Sequence, residues 1–181
     1  VLSSVQSGSG AEAVTTDFGY RNFGFWNWRI DRETLKGDSG AVVRDTVFSY
    51  DGKGNKTVEE KWNDGGNNPV TRWSYDAYGN PVSKIDARGY TTAYEYDAAT
   101  VTYPSKIFLP QTGLVSHVWK APSFDYRVGK AKTLEDANGH QTLYAYDSLG
   151  RLLQADYPDG GRKTYTYVQT SFPIHVKTSV H

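Results

Sequence analysis

The feature that most limits what this chain can fold into is a five-residue pattern that keeps returning: Thr, any residue, aromatic, any residue, Tyr. It occurs as Thr16/Phe18/Tyr20, Thr46/Phe48/Tyr50, Thr71/Trp73/Tyr75, Thr92/Tyr94/Tyr96 and Thr142/Tyr144/Tyr146, with a sixth copy, Lys163/Tyr165/Tyr167, that loses the Thr. Successive copies start 30, 25, 21, 50 and 21 residues apart. Period-two alternation puts the Thr and both aromatics of a copy on one face of a strand. β-Branched and aromatic side chains also suit a pleated, half-buried surface. Chance in a Tyr-rich chain would account for one or two copies, not six.

The residues immediately after each copy are equally regular. Tyr50-Asp51-Gly52-Lys53-Gly54-Asn55, Tyr75-Asp76-Ala77-Tyr78-Gly79-Asn80 and Tyr146-Asp147-Ser148-Leu149-Gly150-Arg151 place Asp and Gly three apart. Asp at the first position of a type I turn accepts hydrogen bonds from its own backbone, and Gly three residues on takes a positive φ. Such a turn closes a hairpin through a bulge. Asp86-Ala87-Arg88-Gly89 and Asp136-Ala137-Asn138-Gly139 repeat that chemistry between copies. Tyr20-Arg21-Asn22-Phe23-Gly24 keeps the Gly but lacks the Asp, and Thr100 and Ser171 replace the Gly after Tyr96 and Tyr167. The turns after those last two copies are expected to be wider or differently built. The unit is strand, turn, strand, turn in 21 residues, with strands roughly 20 Å long at about 3.3 Å per residue and no room for a helix.

The tandem Tyr-Asp-x-x-Gly-[Asn/Arg] units, each followed by a short strand and Asp-x-x-Gly, resemble YD repeats, also called Rhs repeats. These occur in bacterial Rhs proteins, in the B and C components of Tc insecticidal toxins and in animal teneurins. The resemblance is strongest over residues 46–103 and 136–167; residues 1–15 and 104–135 depart from it. It implies hairpins wound into a spiralling sheet that closes as a hollow shell, which in the bacterial toxins encloses a toxic C-terminal segment. It also implies a bacterial protein that is secreted or displayed at the cell surface.

Composition narrows the alternatives. Twenty basic and twenty acidic residues cancel, leaving no electrostatic footprint for nucleic acid or an anionic membrane. With no Cys there is no disulfide frame, thiol nucleophile or Cys-based metal site. No apolar run approaches the length of a membrane-spanning helix. The absence of Met reads as a processed chain or a piece of a longer one. Fourteen Tyr residues imply half-wet sheet faces, each hydroxyl needing a partner. That suits an open sheet better than a two-layer sandwich, although strands at this spacing are compatible with both.

The expected organisation is a flexible lead-in over 1–13, YD-like repeats over 14–103, an irregular insertion or degenerate repeat over 104–135 projecting from a sheet edge, and YD-like repeats with a tail over 136–181. Thr100 to Tyr103, Val115 to Trp119 and Tyr126 to Thr133 read as strands, and 63–69 as a long polar loop. The expected fold is all-β: stacked antiparallel hairpins in an open, curved, shell-like sheet, with at least ten strands and under about a tenth helix.

Candidate chemistry is sparse. Gly37-Asp38-Ser39-Gly40 matches part of a serine-protease signature, but Ala41 follows and every His lies later in the chain, so it reads as a turn. Asp51 to Asn55 fails as an EF-hand, with Lys53, Lys56 and Trp62 at positions three, six and twelve. Asn55-Lys56-Thr57 is a glycosylation sequon, relevant only to a eukaryotic secretory route. His117, His140, His175 and His181 lack ligand spacing. Asp76, Asp86, Asp97, Asp136 and Asp147 are turn residues repeated by architecture. Phe23-Gly24-Phe25-Trp26-Asn27-Trp28 reads as packing rather than a sugar platform. Tyr157-Pro158-Asp159-Gly160 reads as an ordinary repeat turn. No catalytic, cofactor-binding or metal-binding residue is assigned, and no cofactor is expected. The expectation is a non-catalytic segment of a YD-repeat shell that encloses or presents another polypeptide. Its partners would be flanking repeats and an enclosed toxin polypeptide. The alternative is an adhesion module using exposed Tyr and Trp against glycan or a surface protein.

Overall fold

A computed structural model describes residues 2–6, 14–22, 28–168 and 175–181, with the backbone alone for 2–6. Fifteen strands and no helix occur among the described residues. The chain divides into two compact units, residues 1–91 and 92–181. The first holds β1 (Leu2–Gln6), β2 (Val14–Asn22), β3 (Trp28–Lys36), β4 (Val42–Tyr50), β5 (Lys56–Lys61), β6 (Val70–Tyr75) and β7 (Pro81–Ile85). The second holds β8 (Thr91–Tyr96), β9 (Pro104–Thr112), β10 (Val115–Asp125), β11 (Lys130–Glu135), β12 (Gln141–Tyr146), β13 (Leu152–Asp156), β14 (Arg162–Val168) and β15 (His175–Val180). Within each unit every strand pairs antiparallel with the next in sequence, and the first does not return to the last. The expected all-β stack of hairpins is present, each unit an open sheet.

The register shows why the motif ends where it does. A one-residue shift falls immediately before Tyr20, Tyr50, Tyr75, Tyr96 and Tyr146. The bulge places the Tyr opposite the first residue after the turn: Lys56 for Tyr50, Pro81 for Tyr75 and Leu152 for Tyr146. Tyr167, in the copy without Asp and Gly, pairs regularly with Val176.

Three stretches differ from the sequence expectation. Leu2–Gln6 is a strand paired with β2 rather than a flexible lead-in; it supplies hydrogen bonds to an edge that β2 would otherwise leave open. Residues 7–13 and 23–27, the latter most of the aromatic patch, lie outside the described residues. Thr100 to Tyr103 is not a strand, because the Asp97 carboxylate takes up the N–H groups that pairing would need. Tyr126 to Gly129 is a turn, with both Val128 and Gly129 N–H donating to the Asp125 carbonyl, so β11 begins only at Lys130.

The interval 104–135 continues the second unit in sequence order. β9 and β10 form a long hairpin closed by Gly113 and Leu114, with Gly113 at φ +63°, as a two-residue hairpin turn requires. β8 reaches along β9 only to Phe108 in register, and β11 reaches along β10 only to Lys120. The tip of the hairpin therefore overhangs its neighbours.

Neither unit has a thick core. Among the described residues, Ala121 and Ala155 are the only buried hydrophobic side chains, as expected when no second layer packs on a sheet.

Candidate functional site

The most built feature of the chain is its repeated turn. Asp51, Asp76, Asp86, Asp136 and Asp147 each accept two backbone N–H bonds on Oδ1, from the residues two and four further on, at 2.8–3.0 Å. The second oxygen of three of them is held by the residue after the turn Gly: Asn55 at 2.9 Å, Asn80 at 3.0 Å and Arg151 at 2.6 Å. This explains the Asn or Arg that ends each Tyr-Asp-x-x-Gly unit. Hydrogen bonds from Asn55 hold the Asp51 carboxyl below the usual range. At Asp147, burial pushes the carboxyl up, but the Arg151 contacts outweigh it and the net shift is downward. The main chain of each Asp turn closes with the Asp N–H on the carbonyl four residues on and the Gly N–H on the Asp carbonyl. Gly37-Asp38-Ser39-Gly40 and Tyr157-Pro158-Asp159-Gly160 make those two bonds with Gly37 and Tyr157 in the Asp position. The first is thus the turn expected of it.

In four copies the closing tyrosine reaches back to the main chain of an earlier strand. Tyr50 donates its hydroxyl to the Ile30 carbonyl at 2.6 Å, Tyr75 to Lys56 at 2.7 Å, Tyr146 to Ala131 at 3.1 Å and Tyr167 to Leu152 at 3.0 Å. For Tyr75 and Tyr167 the acceptor is the first strand residue after the preceding copy's turn. Burial raises the pKa of Tyr50, Tyr75 and Tyr146. The sequence carries a signal for this bond. The middle aromatic varies among Phe, Trp and Tyr, whereas the last is Tyr in all six copies.

Cations sit between the rings. Lys56 Nζ lies 5.4 Å from the Phe48 ring centroid and 4.5 Å from that of Trp73, bridging two successive copies. Lys130 stands 5.2 Å over Tyr146 and Arg151 4.4 Å over Tyr167, while Tyr144 and Tyr146 stack within one copy at 6.5 Å. Between the Phe48 and Trp73 copies the contact is thus aromatic and cation in alternation.

Register assigns the remaining side chains to faces. In the first unit the face of Phe18, Phe48 and Trp73 also carries Glu33, Arg44, Glu59 and Lys61, with Arg44 paired to Glu33 and Lys56 to Glu59. In the second unit the face of Tyr94 and Tyr144 carries Ile107, Trp119, Leu134 and Ala155. The opposite face there holds the pairs Lys106–Glu95, Lys120–Glu135 and Arg162–Asp156. A groove of about 180 Å³ lies among Pro104, Ile107, Trp119, Lys120, Ala121 and Leu134.

Asp97 departs from the other turn aspartates. It is buried, and it accepts N–H bonds from Thr100 (2.7 Å), Thr102 (3.0 Å) and Tyr103 (2.8 Å), with the Tyr126 hydroxyl at 3.3 Å. Burial pushes its carboxyl up, but the three backbone donors outweigh this and hold it far below the usual range. The loop is wider, as the missing Gly implied: the Asp97 N–H donates to Tyr103 O, and Val101 is forced to φ +52°. Tyr103, Phe124 and Tyr126 cluster beside it at 5.3–6.1 Å, a grouping that sequence spacing did not reveal.

The histidines lie apart. His117 contacts Thr112 near the hairpin tip, His140 sits 3.4 Å from Asp136 within its turn, and the backbone of His181 pairs with Arg162; the side chain of His175 is outside the described residues. Among the described residues no group of three or more His, Asp or Glu could hold a metal ion, and no helix is long and apolar enough to cross a membrane. Asn55 of the sequon is half-buried with its amide on Asp51. Trp28 is exposed at the start of β3.

The RHS repeat family model matches residues 75–100 and 126–162. Among solved structures, the chain is similar to one in the crystal structure of TcdB2-TccC3-Cdc42, with TM-score 0.68, 16% identity, and coverage of 93% of this chain and 9% of that one. It is also similar to a chain of the Photorhabdus luminescens Tc holotoxin pore carrying a TccC3 substitution (TM-score 0.66, 16% identity, 93% and 9% covered). A third similar chain belongs to the TcdB2-TccC3 crystal structure (TM-score 0.67, 16% identity, 92% and 9% covered). The chain thus spans about a tenth of the length of the solved chains it matches. None of the curated proteins compared with it matches.

Proposed function

Taking the chain as an RHS-repeat chain, we propose that it is a non-catalytic structural segment of a larger bacterial β-shell that encloses or presents another polypeptide. The observation that carries this is the repetition of every built feature. Turn carboxylates, stapling hydroxyls and ring-bound cations recur from hairpin to hairpin, whereas catalytic groups are as a rule unique in a chain and converge in one pocket. Each unit is a single layer with both faces partly wet, which suits a wall between two aqueous spaces better than a globular enzyme. The likeness over 93% of the chain to parts of Tc toxin complexes supports the same assignment and, with it, a secreted or surface location.

Limited proteolysis of the complete protein tests the proposal. An enclosed polypeptide resists protease in the native state and is cut rapidly once denaturant opens the repeats. A downstream polypeptide cut equally fast in both states would contradict enclosure and favour adhesion.

A further inference from the structure

We propose that the outer edge of β10 over Val115–Trp119 is a docking site for an extended strand of the polypeptide that this scaffold carries. The inference rests on the carrier role above for the identity of the partner, not for the existence of the site.

Two independent features meet there. The first is an open edge. β11 stops in register at Lys120, and the Asp136 to His140 turn carries the chain away, so Val115–Trp119 pairs only with β9 among the described residues. Alternate peptide groups of those five residues face outward without a strand to meet them. The other edge of the same overhanging hairpin carries Pro110, which removes a donor and guards against added strands. The β10 edge has no Pro and no charged residue until Lys120.

The second feature is the apolar groove at the inner end of that edge, walled by Ile107, Trp119, Ala121 and Leu134. Trp119 and Ile107 are direct partners and share a face, and Trp119 is 48% exposed. Asp136 follows Glu135 beside Trp119, so an added strand begins opposite Val118, and its residue opposite His117 stands on the face of Trp119, within diagonal reach of that ring. Main-chain bonds along an edge with a pocket for an alternate side chain are the two requirements of recognition by strand addition.

The size of the edge selects the occupant. Five residues a side fall far short of the roughly 20–30 a side of a stable interface between free proteins, so a second copy would not be held by this edge. A segment tethered in the same assembly binds at high effective concentration and needs no larger contact.

The test fuses a probe peptide, KTVTLTVTK, through a Gly/Ser linker to the chain extended by several repeats at each end, and reads amide hydrogen exchange by mass spectrometry. A control fusion carries KTPTPTPTK, which lacks alternate backbone donors. The expected result is exchange slowed at least about tenfold over Val115–Trp119 by the first probe, no change with the second, and loss of the effect in Trp119→Lys. Should that variant fold poorly, the two probes still decide the matter on the unaltered chain. Protection confined to β1 or β15, equal protection by both probes, or none at all would overturn the proposal. So would protection that appears without a probe as chain concentration rises, because a second copy would then be the occupant. A complete protein that encloses nothing, yet whose edge takes KTVTLTVTK, would refute the carrier role and leave the docking edge standing.

Discussion

The closing tyrosine of each motif differs from phenylalanine by one oxygen, and in four copies that oxygen bonds a main-chain carbonyl. Tyr75→Phe leaves the Lys56 carbonyl without its 2.7 Å donor and should cost about 0.5–1.5 kcal/mol. Tyr78→Phe, at a side chain 77% exposed, should cost nothing measurable; paired denaturant titrations check the contrast. The turn glycines make a second residue-scale test. Gly139 sits at φ +84° with no atom within 4 Å of an added Cβ, so Gly139→Ala isolates the backbone penalty of about 1–2 kcal/mol. Burial raises the pKa of Tyr50, Tyr75 and Tyr146. A group whose folded pKa is raised contributes stability below its unfolded pKa and loses it as pH rises. The denaturant midpoint should therefore fall above about pH 10, and less so in a variant with these three residues changed to Phe.

At the scale of the element, the turn aspartates set the acid limit. Asp51, Asp97, Asp136 and Asp147 are all held below the usual carboxylate range. Groups with depressed folded pKa values contribute stability above their unfolded pKa and lose it as pH falls through the folded values. The midpoint should be level near neutrality and drop below about pH 4, and Asp97→Asn should flatten that drop more than Asp136→Asn. The Asp97 loop also stores strain at Val101, a β-branched residue at φ +52°. Val101→Gly should leave stability unchanged or raise it by up to about 1 kcal/mol, the reverse of the usual effect of Gly. Hairpins with Asp and Gly three apart were legible in the sequence, because local hydrogen bonds dictate both residues. The aromatic face was legible too: Tyr144 is half-buried while Leu143 and Ala145 on either side are exposed. The exceptions were not. Asp97 captures N–H groups up to six residues away, Asp125 closes a turn through two donors to one carbonyl, and the Lys that bridges Phe48 and Trp73 comes from the strand between them. Each depends on neighbours that period-two counting does not see.

For the molecule as a whole, the scaffold role means a chain stabilised hairpin by hairpin, with each strand dependent on the next. Repeat stacks gain stability from nearest-neighbour interfaces, and a sheet edge with no strand beside it exposes unpaired backbone groups that recruit other chains. With only Ala121 and Ala155 buried among the hydrophobic side chains described, little besides those interfaces holds either unit. The decisive measurement compares denaturant midpoints and association state for these 181 residues and for a version extended by several repeats at each end. A scaffold segment should show a lower midpoint and a tendency to associate in the shorter chain, with a higher midpoint and a clean monomer in the longer one. Equal midpoints, with a monomer in both, would contradict that role and show a self-contained domain.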